Sequence, residues 1–66
     1  MKLQINGQTK DFSDIKNLAG IVSQFSKDSK TIIAEVNGAI VPSIQWDKTP
    51  VKDGDAIELV TFVGGG

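Results

Sequence analysis

The residues with most chemical promise stand at the end of the chain. Gly64, Gly65 and Gly66 follow an apolar strand candidate directly, and the last of them bears the α-carboxylate of the sequence as written. Without Cβ atoms, a glycine backbone can enter a channel too narrow for any side chain. Three extended residues reach about 10 Å beyond a folded body. Two readings are open: a frayed or linker-like terminus, or a tail threaded into a partner to deliver its carboxylate. The other acids offer less. Asp53, Asp55 and Glu58 lie around a turn and on a strand candidate, without the sign of burial that tunes a catalytic carboxyl, and a solvated rim is expected. Asp53-Gly54-Asp55 has the spacing that opens a calcium loop, but the twelfth position, where a chelating glutamate belongs, is Gly64. The expectation is therefore a turn. The terminal glycines are not a phosphate loop either, because no helix stands behind them.

Missing residue types narrow the chemistry further. The chain has no cysteine and no histidine, so it lacks disulfides, thiolate ligands, thiol nucleophiles and the commonest near-neutral general base. A self-sufficient enzyme is not expected. Seven lysines face eight acids for a net charge of −1, and the lysines are scattered, so the basic stripe of a nucleic-acid binder is absent. No apolar run approaches the roughly 20 residues of a membrane span, and Met1-Lys2-Leu3-Gln4-Ile5-Asn6 lacks the apolar stretch of a signal peptide. A soluble, cytoplasmic protein is expected. Its 66 residues suffice for one small core.

The elements that position the tail follow from periodicity. Leu3 and Ile5 alternate with polar neighbours as in a half-buried strand. Asn6-Gly7 then forms a two-residue hairpin turn, with a return strand over Gln8 to Phe12. Ser13 is placed as a helix N-cap with Asp14 in the first turn. Ile15, Leu18, Val22 and Phe25 form one helical stripe, and Lys27 and Lys30 suit the helix's far end. Gly20 points off that stripe and is read as tolerated on a solvent face, at about 1 kcal/mol against alanine. Thr31 to Val36 is β-branched and short, a strand. Asn37-Gly38 turns the chain into Ala39-Ile40-Val41, and Pro42 ends that segment or keeps it at a sheet edge. Ser43 to Pro50 shows no clear period and contains Trp46, the only tryptophan. After the Asp53–Asp55 turn, Ala56 to Val63 is the longest strand candidate. The order β-β-α-β-β-β predicts an α+β domain with its helix on one sheet face.

That last strand carries a second clue. One face presents Ile57, Leu59, Thr61 and Val63, the other Ala56, Glu58, Val60 and Phe62. An outer face should be polar, so Val60 and Phe62 are either covered by a loop or available to dock a partner. Trp46 poses the same choice between core filler and interface anchor.

Taken in order, these segments resemble the ThiS sulfur carriers of thiamine biosynthesis, small members of the ubiquitin-like β-grasp group. Met1 to Gly7 is similar to the family's first strand and turn. Val36 to Pro42, Trp46, Thr49 and Asp53 to Val60 are similar to its most typical stretch, and Phe62-Val63-Gly64-Gly65-Gly66 to its tail. The resemblance covers essentially the whole chain. It departs after Pro42, where many relatives have arginine and serine and this chain has Ser43 and Ile44. The third glycine is also found only in some relatives.

The resemblance implies a mixed sheet of four or five strands gripping one helix, with the terminal strands adjacent and parallel. Residues 1–63 would form the domain and 64–66 a flexible tail. It further implies that an E1-like (ThiF-like) adenylating enzyme, using ATP and magnesium, activates the Gly66 carboxylate. Sulfur derived from a cysteine desulfurase would then make a thiocarboxylate for a ThiG-like thiazole synthase. Gly64 and Gly65 would enter the partner's channel while Val60, Phe62 and Trp46 dock beside it. No cofactor is expected on the chain itself, and a monomer is expected when free. The alternatives are a carrier for molybdopterin or tRNA thiolation, whose molybdopterin type tends to be longer with proline before its glycines, and a TGS-like binding module cut from a larger chain. Met1 directly before the first strand points to a complete protein rather than the last of these.

Overall fold

The computed structural model describes residues 1–26 and 29–62. The strands are β1 (Lys2–Ile5), β2 (Gln8–Asp11), β3 (Ile32–Val36), β4 (Ala39–Val41) and β5 (Ala56–Thr61), with one α-helix, α1 (Leu18–Phe25). Short 3₁₀ segments cover Ser29–Thr31 and Ser43–Lys48. The strands form one sheet in the order β2-β1-β5-β3-β4. β1 and β5 run parallel, with Ile5 beside Ile57, and the remaining pairings are antiparallel. The two terminal strands thus meet at the centre of a mixed five-stranded sheet, the β-grasp arrangement.

Alternation explains the layers. Leu3 and Ile5 of β1, Ile32 and Ala34 of β3, and Ile57 and Leu59 of β5 point to one face. There they join Leu18, Ile21 and Val22 of α1, with Trp46 and Val51, in a single core. The edge strand β2 is exposed throughout, and its Gln8, Thr9, Lys10 and Asp11 blunt the edge against further pairing. Among the described residues no helix is long and apolar enough to cross a membrane.

The helix differs from its sequence expectation. Its N-cap is Asn17, whose side chain accepts from the Gly20 N–H at 3.1 Å. Ser13 does not cap it, and Asp14 adopts a left-handed φ of +63° in the connection before it. The segment ahead of the helix is bound elsewhere: Asn17 bridges to Pro50, and the Val51 N–H donates to the Lys16 carbonyl at 3.4 Å. Tertiary pairing has overridden local capping. Ile15 therefore precedes the helix and leans on it, which accounts for Gly20. A Cβ there would stand 3.3 Å from both Ile15 Cδ1 and Cγ2, so glycine makes room for Ile15 and is not merely tolerated in solvent. Lys30 lies in the 3₁₀ turn rather than at the helix end, and Lys27 lies outside the described residues.

Candidate functional site: the last strand and its outer face

β5 is the last described strand, and in sequence only Phe62 and Val63 separate it from the glycines. On one side it pairs with β3 over five residue positions, from Ile57 opposite Val36 to Thr61 opposite Ile32. The Phe62 N–H continues that ladder to the Thr31 carbonyl at 2.9 Å. On the other side β1 supplies fewer backbone partners: the Gln4 N–H donates to Asp55 O and the Asn6 N–H to Ile57 O, each at 2.9 Å.

Two Asn-Gly turns complete the support. Asn6 and Asn37 adopt φ of +51° and +52°, followed by Gly7 and Gly38 at +82° and +87°, the paired left-handed geometry of tight hairpins. Each asparagine also turns its carboxamide onto β5. Asn6 Nδ2 donates to the Leu59 carbonyl at 3.1 Å, while the Leu59 N–H donates to Asn6 Oδ1 at 2.8 Å. The Ala56 N–H donates to Asn37 Oδ1 at 3.0 Å, and Asn37 Nδ2 donates to Asp55 Oδ1 at 3.0 Å.

That contact corrects the reading of Asp55 as part of a solvated rim. Asp55 is 7% exposed. It accepts from Asn37 and, through Oδ2, from the Lys52 N–H at 2.8 Å. The Asn37 hydrogen bond foremost, then the Lys52 amide, holds its carboxyl below the ordinary 3.8 against the opposing effect of burial. Asp53 is likewise engaged, accepting from the Lys2 N–H at 2.6 Å. Gly54, at φ +90°, occupies the expected turn. Among the described residues no group of three or more His, Cys, Asp or Glu side chains could hold a metal ion.

The outer sheet face is apolar where the strand nears the tail. Val60 is 53% exposed and Phe62 44%, and no loop of the described chain covers them. Register places Ile33 opposite Val60, Glu35 opposite Glu58, and Ile40 on the other side of Glu35. Ile33 and Ile40 are also exposed. They were not singled out in sequence, although alternation within Thr31–Val36 would have turned Ile33 outward. Trp46 is not part of this face. It is 6% exposed and packs in the core, its indole Nε1 donating to the Val41 carbonyl at 2.8 Å. The 3₁₀ segment swings Trp46 inward and leaves Ile44 exposed, so Trp46 is a core residue rather than an interface anchor. Val63, Gly64, Gly65 and Gly66 lie outside the described residues.

With this geometry established, comparison with known proteins is direct. The ThiS family model matches residues 3–66, through the glycine tail. The chain is 32% identical over 65 residues to the sulfur carrier protein ThiS of Bacillus subtilis, covering 97% of this chain and 98% of that one. It is 38% identical over 66 residues to a thiazole synthase of Paramagnetospirillum magneticum; all of this chain matches, but it spans only 20% of that protein's length. In structure it is similar to the thiamine biosynthesis protein ThiS from Geobacter metallireducens, with a TM-score of 0.83, 32% identity and 100% coverage of both chains.

Proposed function

The chain belongs to the ThiS family of sulfur carriers in thiamine biosynthesis, and on that premise we propose that its Gly66 carboxylate is the group that is activated and loaded. A carboxylate is a poor electrophile until one oxygen becomes a leaving group. In the proposed sequence, that oxygen attacks the α-phosphorus of ATP on an E1-like adenylating enzyme, pyrophosphate leaves, and an acyl-adenylate forms. The terminal sulfur of a persulfide supplied ultimately by a cysteine desulfurase then displaces AMP to give an acyl disulfide. A thiol of the partner proteins or free cysteine cleaves its S–S bond, releasing a C-terminal thiocarboxylate and leaving the two thiol sulfurs joined as a disulfide. Thiazole synthase takes up that sulfur, a partnership suggested by the relative of that name whose sequence includes a stretch like this whole chain. ATP and magnesium belong to the adenylating partner. The chain has no thiol or imidazole with which to attack its own activated end, and it acts as a protein substrate in the cytoplasm, as a monomer when free.

The observation that supports this reading is the continuity of β5. The strand at the sheet's centre runs toward the glycines, with Val60 and Phe62 exposed beside its end. A partner that buries both side chains would have Gly64 and Gly65 at the mouth of its channel.

The test is intact-mass measurement after incubation with ATP, cysteine, a cysteine desulfurase and the adenylating enzyme of the same organism. The expected result is a mass change equal to sulfur replacing one oxygen, mapped to Gly66 and lost without ATP. An unchanged mass, with an adenylating enzyme shown to be active on another carrier, would overturn the reading in favour of a binding module.

A further inference from the structure

A parallel ladder between β1 and β5 should continue past Asn6 with the next peptide group, but the hairpin turns the backbone away there. The Asn6 carboxamide occupies the vacated role. Its Oδ1 takes the Leu59 N–H that the Asn6 carbonyl would have taken, and its Nδ2 reaches the Leu59 carbonyl that the next strand N–H would have reached. Leu59 is thus the last residue of β5 held from the β1 side. Farther on, the strand is held by β3, through Thr61 opposite Ile32 and the Phe62 N–H on Thr31.

We propose that Asn6 is a positioning residue for the tail: its carboxamide acts as a surrogate peptide that fixes the distal half of β5 and sets the direction in which the glycines leave the fold. The inference rests on the carrier function proposed above. Asn37 makes the corresponding contact at the opposite end of β5, where it bears on the start of the strand and not on its exit. The pair therefore separates general strand stability from tail delivery.

Two measurements test this on the full chain. Hydrogen exchange of the free protein comes first. Asn6→Gly retains a residue at ease with positive φ and removes the carboxamide together with Cβ, a backbone change that Asn37→Gly makes equally in the other turn. The Leu59 and Phe62 amides should then exchange about tenfold faster or more, beyond any change at Val22 in the helix. Equal acceleration at all these sites, or none, would overturn the proposal. Adenylation comes second, read as ATP–pyrophosphate exchange with the adenylating enzyme. Asn6→Gly should lower kcat/KM about tenfold or more, since misplacing a reacting group is costly even when the fold survives. Asn37→Gly should leave kcat/KM near the wild-type value at temperatures where both variants are folded. Unchanged kcat/KM in Asn6→Gly, or an equal loss in both variants, would overturn the positioning role. Wild-type protein that supports no exchange would refute the carrier reading, while the amide measurement still decides whether Asn6 holds the strand. Should Asn6→Gly fail to fold, Asn6→Asp keeps the acceptor for Leu59 N–H and removes the donor, and the same two measurements apply.

Discussion

Asp55 shows how one side chain can be misjudged from its neighbours in sequence. An Asp-Gly-Asp turn ordinarily leaves both carboxylates in water, yet Asp55 folds inward because Asn37 and the Lys52 amide receive it. Its folded pKa lies below the ordinary 3.8. A carboxyl lowered by folding contributes stability that is fully present above the unfolded value and is lost as pH falls through the folded value. Urea midpoints measured from about pH 5 downward should therefore fall below pH 3.8, and Asp55→Asn should flatten that part of the profile. An unaltered slope in the variant would assign the acid sensitivity to another group. Trp46 gives a second test at this scale. Trp46→Ala should cost about 3–5 kcal/mol, the range for emptying a large aromatic site in a core, measured by denaturant unfolding. An anchor on the free surface would leave stability nearly unchanged.

Elements add constraints that no single residue carries. The helix starts at Leu18 because Asn17 is pinned between the Gly20 amide and the Asp47 carbonyl, and Ile15 lies against Gly20 in consequence. Propensity alone would have Gly20→Ala stabilise the helix by about 1 kcal/mol. The 3.3 Å approach to Ile15 should cancel or reverse that gain. The same substitution made in an Ile15→Ala background should recover it, a non-additivity that a double-mutant cycle measures directly. In the sheet, Glu35 and Glu58 stand opposite one another on the outer face, and like charges so placed are unfavourable. Glu58→Gln should raise the unfolding free energy by roughly 0.2–1 kcal/mol. Much of this level was legible in the sequence. The strand alternation, both Asn-Gly turns and the single helix all depend on local periodicity or local backbone preference. The helix boundary was not legible, because a partner in another segment, Pro50, draws Asn17 into a bridge. Nor was the 3₁₀ turn around Trp46, whose short period leaves no amphipathic pattern to read.

For the whole molecule, the parallel pairing of β1 with β5 brings the first and last strands of the chain side by side at the centre of the sheet. The strand that leads to the tail is thereby supported from both sides. The outer face keeps Val60 and Phe62 open beside that exit. Phe62→Ala should weaken binding to the proposed adenylating partner by an order of magnitude or so, as truncation of an aromatic hot spot does, with little change in thermal stability. Affinity equal to wild type would make Phe62 a bystander. On the threading reading proposed above, Gly65→Leu should leave the fold intact and abolish loading in the mass assay, because a branched side chain would block a channel that admits only bare backbone. Full loading of that variant would remove the threading argument.

By itself the amino-acid sequence determined the class of fold, the two hairpins, the inward faces of β1 and β5, and the want of any thiol or imidazole. These follow from alternation, turn chemistry and composition, all of which act over a few neighbouring residues. Only the tertiary structure decided that Trp46 faces the core, that Asp55 is buried and bonded, that Gly20 yields space to Ile15, and that Asn6 holds Leu59. Each of those depends on a partner brought close by the fold. Asn6 and Leu59 lie 53 positions apart, and no local pattern records a hydrogen bond between residues that only folding makes neighbours.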